Sequence, residues 1–212
     1  MDFLLLVVDF FLHLDKHLQQ ILESYGNWTY LLVSFTIFAE TGFVVTPFLP
    51  GDSLIFVVGA FAAAGWLNPW VLYIALLVAG ILGNSLNYAI GKKIGPAVFE
   101  KNYRFLKREY LDKTRAFFEK YGGKTIIIAR FLPIVRTFAP FLAGVGKMTY
   151  AKFSIFNVIG SFLWVSIFLW GGYFFGNIPV IKRNLTTVIL VIVFASFLPT
   201  IIEFFKHKFK SK

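Results

Sequence analysis

The sequence predicts an all-helical integral membrane protein, with about three full transmembrane helices and two re-entrant hairpins that enter from opposite faces. Three observations lead to this architecture. Of the 212 residues, 58% are hydrophobic and only 15% are charged, and the mean hydropathy is +0.71, so a water-soluble fold would expose apolar surface it could not cover. Several apolar stretches are long enough to cross a bilayer. Two others are interrupted by prolines and charges.

Three stretches reach the roughly 20 apolar residues that a membrane-spanning helix needs. They cover residues 70–90, 153–175 and 185–205. Glycine or proline interrupts each stretch, as is common where transmembrane helices pack closely. We therefore predict three spans, within a membrane domain that covers residues 28–205.

The two interrupted stretches are residues 28–67 and 125–146. The first contains Glu40, Pro47, Pro50, Gly51 and Asp52, and the second contains Arg130, Pro133, Arg136 and Pro140. Proline lacks an amide donor and clashes with the preceding turn, so we expect backbone breaks or kinks at Pro47, Pro50, Gly51, Pro133 and Pro140. A broken backbone survives at membrane depth only when it is buried in protein or lines a wet cavity. Each stretch thus predicts a re-entrant hairpin.

The hairpins show signs of an internal repeat. Phe48-Leu49-Pro50 recurs as Phe131-Leu132-Pro133, and Gly80, Gly91 and Gly95 are spaced like Gly160, Gly171 and Gly176. A chain this rich in Phe and Leu can also repeat the triplet by chance. Residues 92–124 hold ten Lys or Arg against four acids, which places them in the cytoplasm together with the basic tail 206–212. The first hairpin then enters from outside and the second from inside, an arrangement typical of inverted-repeat transporters.

Two segments lie outside this framework. Residues 1–27 form a predicted interfacial segment. The first 22 residues lack the positive start and the cleavage site of a signal peptide, and their apolar residues at 3–8, 10–12, 14 and 18 favour an interfacial or partly inserted helix. Residues 110–121 have the spacing of an amphipathic helix on the cytoplasmic surface, either a scaffold or a lipid sensor.

Four ionisable side chains lie within the interrupted stretches: Glu40, Asp52, Arg130 and Arg136. Each costs roughly 2.5–3.5 kcal/mol at the bilayer centre, so we expect the two acids and two bases to pair in one polar chamber. These pairs could simply hold the hairpins together. A functional interpretation is favoured because buried ion pairs stabilise poorly and guanidinium groups match phosphate oxygens. Our hypothesis is that Arg130 and Arg136 bind an anionic headgroup while Glu40 or Asp52 exchanges a proton.

Other functional classes find little support in the sequence. There is no cysteine, and His13, His17 and His207 form no cluster, so we expect no metal site. The sequence contains no hydrolase triad and no phosphate-cradling Gly-Lys-Ser/Thr loop, so we expect neither an enzyme nor a cofactor. The basic region carries no nucleic-acid motif. Asn84 and Asn87 either join helices or line a cavity.

The residues of the two interrupted stretches resemble those of the DedA family of bacterial membrane proteins, part of the VTT (SNARE-associated) superfamily that includes eukaryotic lipid scramblases. The resemblance rests on Glu40 with Pro47-Phe48-Leu49-Pro50-Gly51-Asp52-Ser53, on Arg130-Phe131-Leu132-Pro133-Ile134-Val135-Arg136, and on Asn157, Gly160, Trp164 and Gly172-Tyr173-Phe174-Phe175-Gly176. It implies opposed hairpins and proton-dependent return of undecaprenyl phosphate across the inner membrane. It also implies Glu40 and Asp52 as the acidic pair. Asn84 departs from the Asp expected in many members.

The sequence thus predicts a proton-coupled transporter, or flippase, of a polyprenyl phosphate or another anionic lipid. Two alternatives stay open, an uncoupled phospholipid scramblase and a non-transporting structural or assembly protein. We expect a multi-pass protein of the bacterial inner membrane with a cytoplasmic C-terminus. A homo-oligomer is compatible with the sequence.

Overall fold

The computed structural model describes residues 25–43, 51–100, 115–116 and 118–183, with the backbone alone at 94–100, 133–134 and 182–183. Every element in these ranges is helical. In chain order they are α1 (Asn27–Gly42), α2 (Gly51–Ala63), α3 (Pro69–Glu100), a 3-10 turn (Gly122–Lys124), α4 (Thr125–Ala129), α5 (Pro133–Val145), α6 (Tyr150–Val165), a π-helical segment (Ser166–Trp170), α7 (Gly171–Gly176) and α8 (Pro179–Arg183).

Two helical runs are long and apolar enough to cross a membrane. They are Pro69–Lys93, within α3, and Tyr150–Gly176, which joins α6, the π-helical segment and α7. The predicted spans 70–90 and 153–175 are confirmed as continuous apolar helices. The predicted span 185–205, the N-terminal segment and the basic tail lie outside the described residues. Of the amphipathic helix predicted at 110–121, the described part is helical, with an exposed Arg115–Glu119 pair at 3.4 Å.

Helix α3 presents an apolar stripe at its surface. Trp70, Ile74, Val78 and Leu82 are 63%, 61%, 48% and 54% exposed. Residues four apart lie on one face of a helix. A continuous apolar face of this kind is costly in water and suits contact with hydrocarbon.

Neither interrupted stretch forms a single helix, as predicted. In the first, α1 ends at Gly42 and α2 begins at Gly51; Pro47 and Pro50 lie outside the described residues. In the second, α4 ends at Ala129 and a turn at 130–132 precedes α5. Leu132 is extended, at φ −122° and ψ 104°, as expected for a residue before proline. Pro133 then starts α5, where no amide donor is needed.

Of the break or kink expected at Pro140, a break is excluded, because Pro140 lies inside α5, which continues to Val145. A proline at this position removes the donor to the carbonyl of Arg136 and crowds the preceding turn. Neighbouring helices can supply donors to such carbonyls. Asn87 of α3 donates to the adjacent carbonyl, that of Thr137, at 3.0 Å.

The chain forms two compact units. The first contains described residues 25–32, 52–72 and 168–183, and the second contains residues 33–43, 51 and 73–167. In the first unit, α2 packs on the second long helical run through glycines. A Cβ at Gly59 would overlap the carbonyl oxygen of Leu169, and a Cβ at Gly172 would overlap that of Phe56. The two backbones therefore approach as closely as only glycine allows.

The second unit repeats this contact with different elements. A Cβ at Gly144 of α5 would overlap the carbonyl oxygen of Tyr88, and a Cβ at Gly91 of α3 would overlap that of Phe141. In each unit a short helix that follows a backbone break meets a long helix through two reciprocal glycine–carbonyl contacts. Judged by these contacts, Gly172 is the counterpart of Gly91. The spacing of glycines in the sequence had instead matched Gly91 with Gly171, the preceding residue.

The hydrophobic core of the second unit joins α3, α4, α5 and α6. It consists of Tyr88, Ile126, Ala129, Val135, Ala139, Ala143 and Phe153. The rings of Tyr88 and Phe153 stack at 4.5 Å between centroids, and the Tyr88 hydroxyl donates to the carbonyl of Met148. This packing fixes the turn at 130–132 and the first turn of α5.

Candidate functional site

A buried ion pair joins α1 to α5. Nη2 of Arg136 lies 2.6 Å from Oε1 of Glu40. Glu40 belongs to the last turn of α1 and is 4% exposed, and Arg136 belongs to the first turn of α5 and is 9% exposed. The two predicted site residues are therefore brought together, and they connect the two interrupted stretches.

Glycines allow Glu40 to reach this position. A Cβ at Gly83 of α3 would overlap the hydroxyl oxygen of Thr41, so the end of α1 rests directly on the α3 backbone. A Cβ at Gly51 would overlap Oε2 of Glu40. Gly51 was expected at a backbone break; it is the first residue of α2, and its missing side chain leaves room for the Glu40 carboxylate.

Arg130 lies in the turn between α4 and α5 and is 1% exposed. Its Nη2 donates to the carbonyl of Gly80 at 3.2 Å, to Oδ1 of Asn157 at 2.9 Å and to Oγ of Ser161 at 2.5 Å. Among the described residues, its Nε and Nη1 have no hydrogen-bond partner. Each of these acceptors is a neutral group, so the expected pairing of Arg130 with an acid is not made through a hydrogen bond among the described residues.

A polar framework between the two long helices fixes these acceptors. Asn157 donates from Nδ2 to the carbonyl of Ile81 at 3.0 Å, which turns its Oδ1 towards Arg130. Asn84 donates to the same Oδ1 at 3.0 Å. The hydroxyl of Ser161 donates to the carbonyl of Asn157 at 2.7 Å, which leaves its lone pairs for the guanidinium. For Asn84, the interpretation as a helix-joining residue is confirmed.

The role of Asn157 and Ser161 at Arg130 was missed from the sequence. The available signal was two polar residues four apart inside an apolar span, which places both on one face of the helix.

Trp164 places the two arginines near one aromatic ring. Its side chain is fully buried. The guanidinium carbons of Arg130 and Arg136 each lie 5.3 Å from its ring centroid. Each distance is within the range of a cation–π interaction, which is strongest for tryptophan and for desolvated cations. The ring therefore offsets part of the cost of burying two like charges side by side.

Asn87 holds together the backbones that carry the ion pair. Its Nδ2 donates to the carbonyl of Thr41 at 3.1 Å and to that of Thr137 at 3.0 Å. Thr41 follows Glu40 in the chain, and Thr137 follows Arg136. Asn87 is completely buried and confirms the helix-joining interpretation. The register of α1 against α5 thus depends on a neutral side chain as well as on the ion pair.

Asp52 lies in the first turn of α2 and is partly exposed. It belongs to the first unit, and its place in the polar chamber stays a prediction. In the part of the chain that the structure describes, no group of three or more His, Cys, Asp or Glu could hold a metal ion.

The buried charges of the second unit do not balance. Among its described residues, the buried charged side chains are Glu40, Arg130 and Arg136. Glu40 pairs directly with Arg136, whereas the described groups that hydrogen-bond to Arg130 or lie against it as a cation–π partner are neutral. A buried cation without a carboxylate partner is expensive unless an anion can reach it. The site is therefore chemically suited to an anionic group.

Helices of membrane-spanning length with buried charged side chains between them are typical of a helical membrane protein. The comparisons agree with this class. Residues 49–174 match the VTT domain family. The chain is 50% identical to Protein DedA of Escherichia coli (strain K12) over 98% of this chain and 96% of that protein. The chain belongs to the DedA family of membrane proteins.

Further relatives are also membrane proteins. An uncharacterized membrane protein of Mycobacterium leprae (strain TN) is 45% identical over 83% of this chain and 79% of its own length. Inner membrane protein YghB of Escherichia coli (strain K12) is 33% identical over 73% of this chain and 71% of its own length. No solved structure matches the chain.

Proposed function

We propose that this protein is a proton-coupled transporter, or flippase, of a lipid phosphate in the bacterial inner membrane, and that undecaprenyl phosphate is its substrate. The observation that carries the proposal is the state of Arg130, a buried guanidinium with neutral acceptors on one nitrogen and no hydrogen-bond partner for the other two among the described residues. The substrate itself is taken from the resemblance to the DedA family.

The chemistry of Arg130 favours phosphate over other anions. Nε and Nη1 together carry three N–H groups in a rigid planar arrangement. A phosphate ester presents several oxygens that can accept from such an array, with charge-assisted bonds stronger than neutral ones. Arg136 lies against the same ring, at 5.3 Å from the Trp164 centroid. We propose that this second guanidinium joins the first on the headgroup.

Proton coupling follows from the pairing of Arg136. In the structure its charge is engaged by Glu40 at 2.6 Å. When a phosphate competes for Arg136, Glu40 becomes a buried carboxylate without its cation, and binding a proton removes that charge. Substrate binding and proton uptake then favour each other. Asp52 is proposed as the second proton-exchanging acid.

The matching contacts of the two units support an internal repeat. Gly59 and Gly172 in the first unit make the same carbonyl contacts as Gly144 and Gly91 in the second. We propose that these repeats form two opposed re-entrant hairpins, as in transporters whose substrates bind near the membrane midplane. The basic region 92–124 and the tail 206–212 support a cytoplasmic C-terminus. The name of the relative YghB supports an inner-membrane location.

Reconstitution in liposomes with an imposed pH gradient tests the proposal. The wild-type protein, Arg130→Lys and Glu40→Gln are compared for translocation of undecaprenyl phosphate. We expect Arg130→Lys to lose most translocation, since lysine lacks the planar fork, and Glu40→Gln to lose the dependence on the gradient.

Unchanged, proton-dependent translocation in both variants would refute the proposal. Translocation by the wild type that ignores the gradient and includes ordinary phospholipids would identify an uncoupled scramblase. Absence of any translocation by the wild type would favour a structural or assembly protein, with Glu40–Arg136 as an internal bridge.

A further inference from the structure

Two glycines flank the nitrogens of Arg130 that have no hydrogen-bond partner among the described residues. A Cβ at Gly80 of α3 would lie 3.5 Å from Nη1 of Arg130, and a Cβ at Gly160 of α6 would lie 3.3 Å from its Nε. Gly80 and Gly160 are also the pair that the spacing of the two spans had matched. The helix surfaces beside these two donors therefore carry no side chain.

The two glycines differ in what packing requires of them. A Cβ at Gly160 would also lie 3.3 Å from the Cα of Ile127, a backbone atom that cannot easily yield. A Cβ at Gly80 would meet only side chains at ordinary contact distances, 3.7 Å to the Trp164 ring and 4.0 Å to Oγ of Ser161. Packing therefore explains glycine at 160 and does not explain it at 80.

Helix stability does not explain Gly80 either. Gly80 lies in the interior of α3, where alanine is favoured over glycine by roughly 0.8–1.0 kcal/mol. A methyl group would fit, and the helix would gain stability. The methyl group of an alanine at position 80 would also cover Nη1 of Arg130. This buried nitrogen has no hydrogen-bond acceptor among the described residues. Glycine at position 80 thus keeps a space of about methyl size beside Nη1 of Arg130, and neither packing nor helix propensity requires that space.

We propose that Gly80 is a specificity-determining residue of the anion site: the space beside it admits a phosphate oxygen to Nη1 of Arg130, with Trp164 and Ser161 as its other walls. The inference rests on the proposed function and adds where the headgroup meets Arg130. A side chain at position 80 competes with the headgroup for this space. Serine there competes doubly, because its hydroxyl can accept from Nη1 as well as fill the volume.

The test is binding of radiolabelled farnesyl phosphate, a short lipid phosphate, to the full-length protein in detergent micelles, with unlabelled farnesol as a competitor that lacks the phosphate. Four variants are compared with the wild type: Gly80→Ala, Gly80→Ser, Gly171→Ala and Arg130→Lys. Gly171→Ala is the matched control, since it is also a helical glycine whose Cβ would meet a side chain, Phe56, at 3.7 Å. Thermal unfolding midpoints are measured for all variants.

We expect Gly80→Ala to raise the Kd at least about tenfold, as small changes in a fitted pocket do, and Gly80→Ser to raise it further. The Gly171→Ala variant should bind like the wild type, and both alanine variants should unfold at or above its temperature. Farnesol should not compete in any of them.

Wild-type affinity in Gly80→Ala and Gly80→Ser, with binding lost in Arg130→Lys, would overturn the role of Gly80 and leave the proposed function standing. Wild-type affinity in Arg130→Lys would overturn the proposed function itself. A fall in the unfolding midpoint of Gly80→Ala would overturn the claim that packing does not require glycine at position 80, because it would show that this glycine is structural.

Discussion

The Glu40–Arg136 pair allows the functional and the structural interpretations to be separated by removing its charges singly and together. Glu40→Gln keeps the shape of the side chain and leaves Arg136, which is 9% exposed, without the carboxylate 2.6 Å away. Removing one partner of a buried pair costs roughly 3–5 kcal/mol. At about 1.4 kcal/mol for each factor of ten, the unfolding equilibrium should shift by two to four orders of magnitude.

Arg136→Gln should lower the free energy of unfolding less than Glu40→Gln does. The Glu40 carboxylate can bind a proton when its direct ion-pair partner is removed, whereas the Arg136 guanidinium cannot lose one. The destabilisation of Arg136→Gln relative to the wild type should therefore begin to shrink at a higher pH than that of Glu40→Gln, which shrinks only where Glu40 of the wild type itself takes up a proton. The double variant strands no charge, and its stability should return most of the way to that of the wild type.

The assay combines unfolding in mixed micelles, followed by tryptophan fluorescence across pH, with translocation of undecaprenyl phosphate by the same variants in liposomes. We expect the double variant to fold and to translocate nothing in response to the pH gradient. A double variant that folds and translocates like the wild type would show that the pair is only a bridge. A cost below about 1 kcal/mol for Glu40→Gln would refute the buried pairing itself.

Three further perturbations test the surroundings of the site. Trp164→Phe should weaken binding of farnesyl phosphate, and Trp164→Leu should weaken it more, because the leucine side chain loses a cation–π interaction worth up to about 2 kcal/mol per buried guanidinium; equal affinity in the two variants would show that only volume matters. Asn84→Asp should weaken that binding, since it brings a negative charge to the framework of Arg130, and should lower the unfolding midpoint, because a carboxylate cannot donate to Oδ1 of Asn157 as the Asn84 amide does at 3.0 Å; stronger binding would contradict this charge balance. Gly91→Ala and Gly172→Ala should each cost about 1–3 kcal/mol, because a Cβ there would overlap a carbonyl oxygen; wild-type unfolding midpoints would rule out the close contacts.

The backbone architecture followed from local features of the sequence. Helix length and composition identified the two long runs, and the prolines marked both interrupted stretches. Pro133 and Pro140 show the limit of this reasoning, since the same residue type starts α5 at one position and lies inside it at the other. At Pro140, Asn87 of a neighbouring helix donates to the carbonyl of Thr137 in the turn before the proline, a tertiary contact that the sequence does not give.

The members of the site were predictable, and most of their pairing was not. Charged residues within apolar stretches are rare, so Glu40, Arg130 and Arg136 stood out at once. Their partners depend on the directions of side chains, which the sequence does not give. Arg130 was expected to meet an acid and meets Asn157 and Ser161, whose hydrogen bonds form only when two distant helices pack together.

The two arginines differ in the charge of the groups that contact them, and this difference determines which ligand charge the site can balance. Neutral groups from both long helices hold Arg130, so its positive charge remains available to a ligand. Arg136 is held by Glu40, whose charge a proton can remove. A phosphate monoester carries between −1.5 and −2 charges near neutral pH. Arg130 alone balances one of them, and the second is balanced by Arg136 only when Glu40 is neutral. The proposed site therefore accepts a dianionic headgroup together with one proton at Glu40, because either species alone would leave a net charge buried in the membrane.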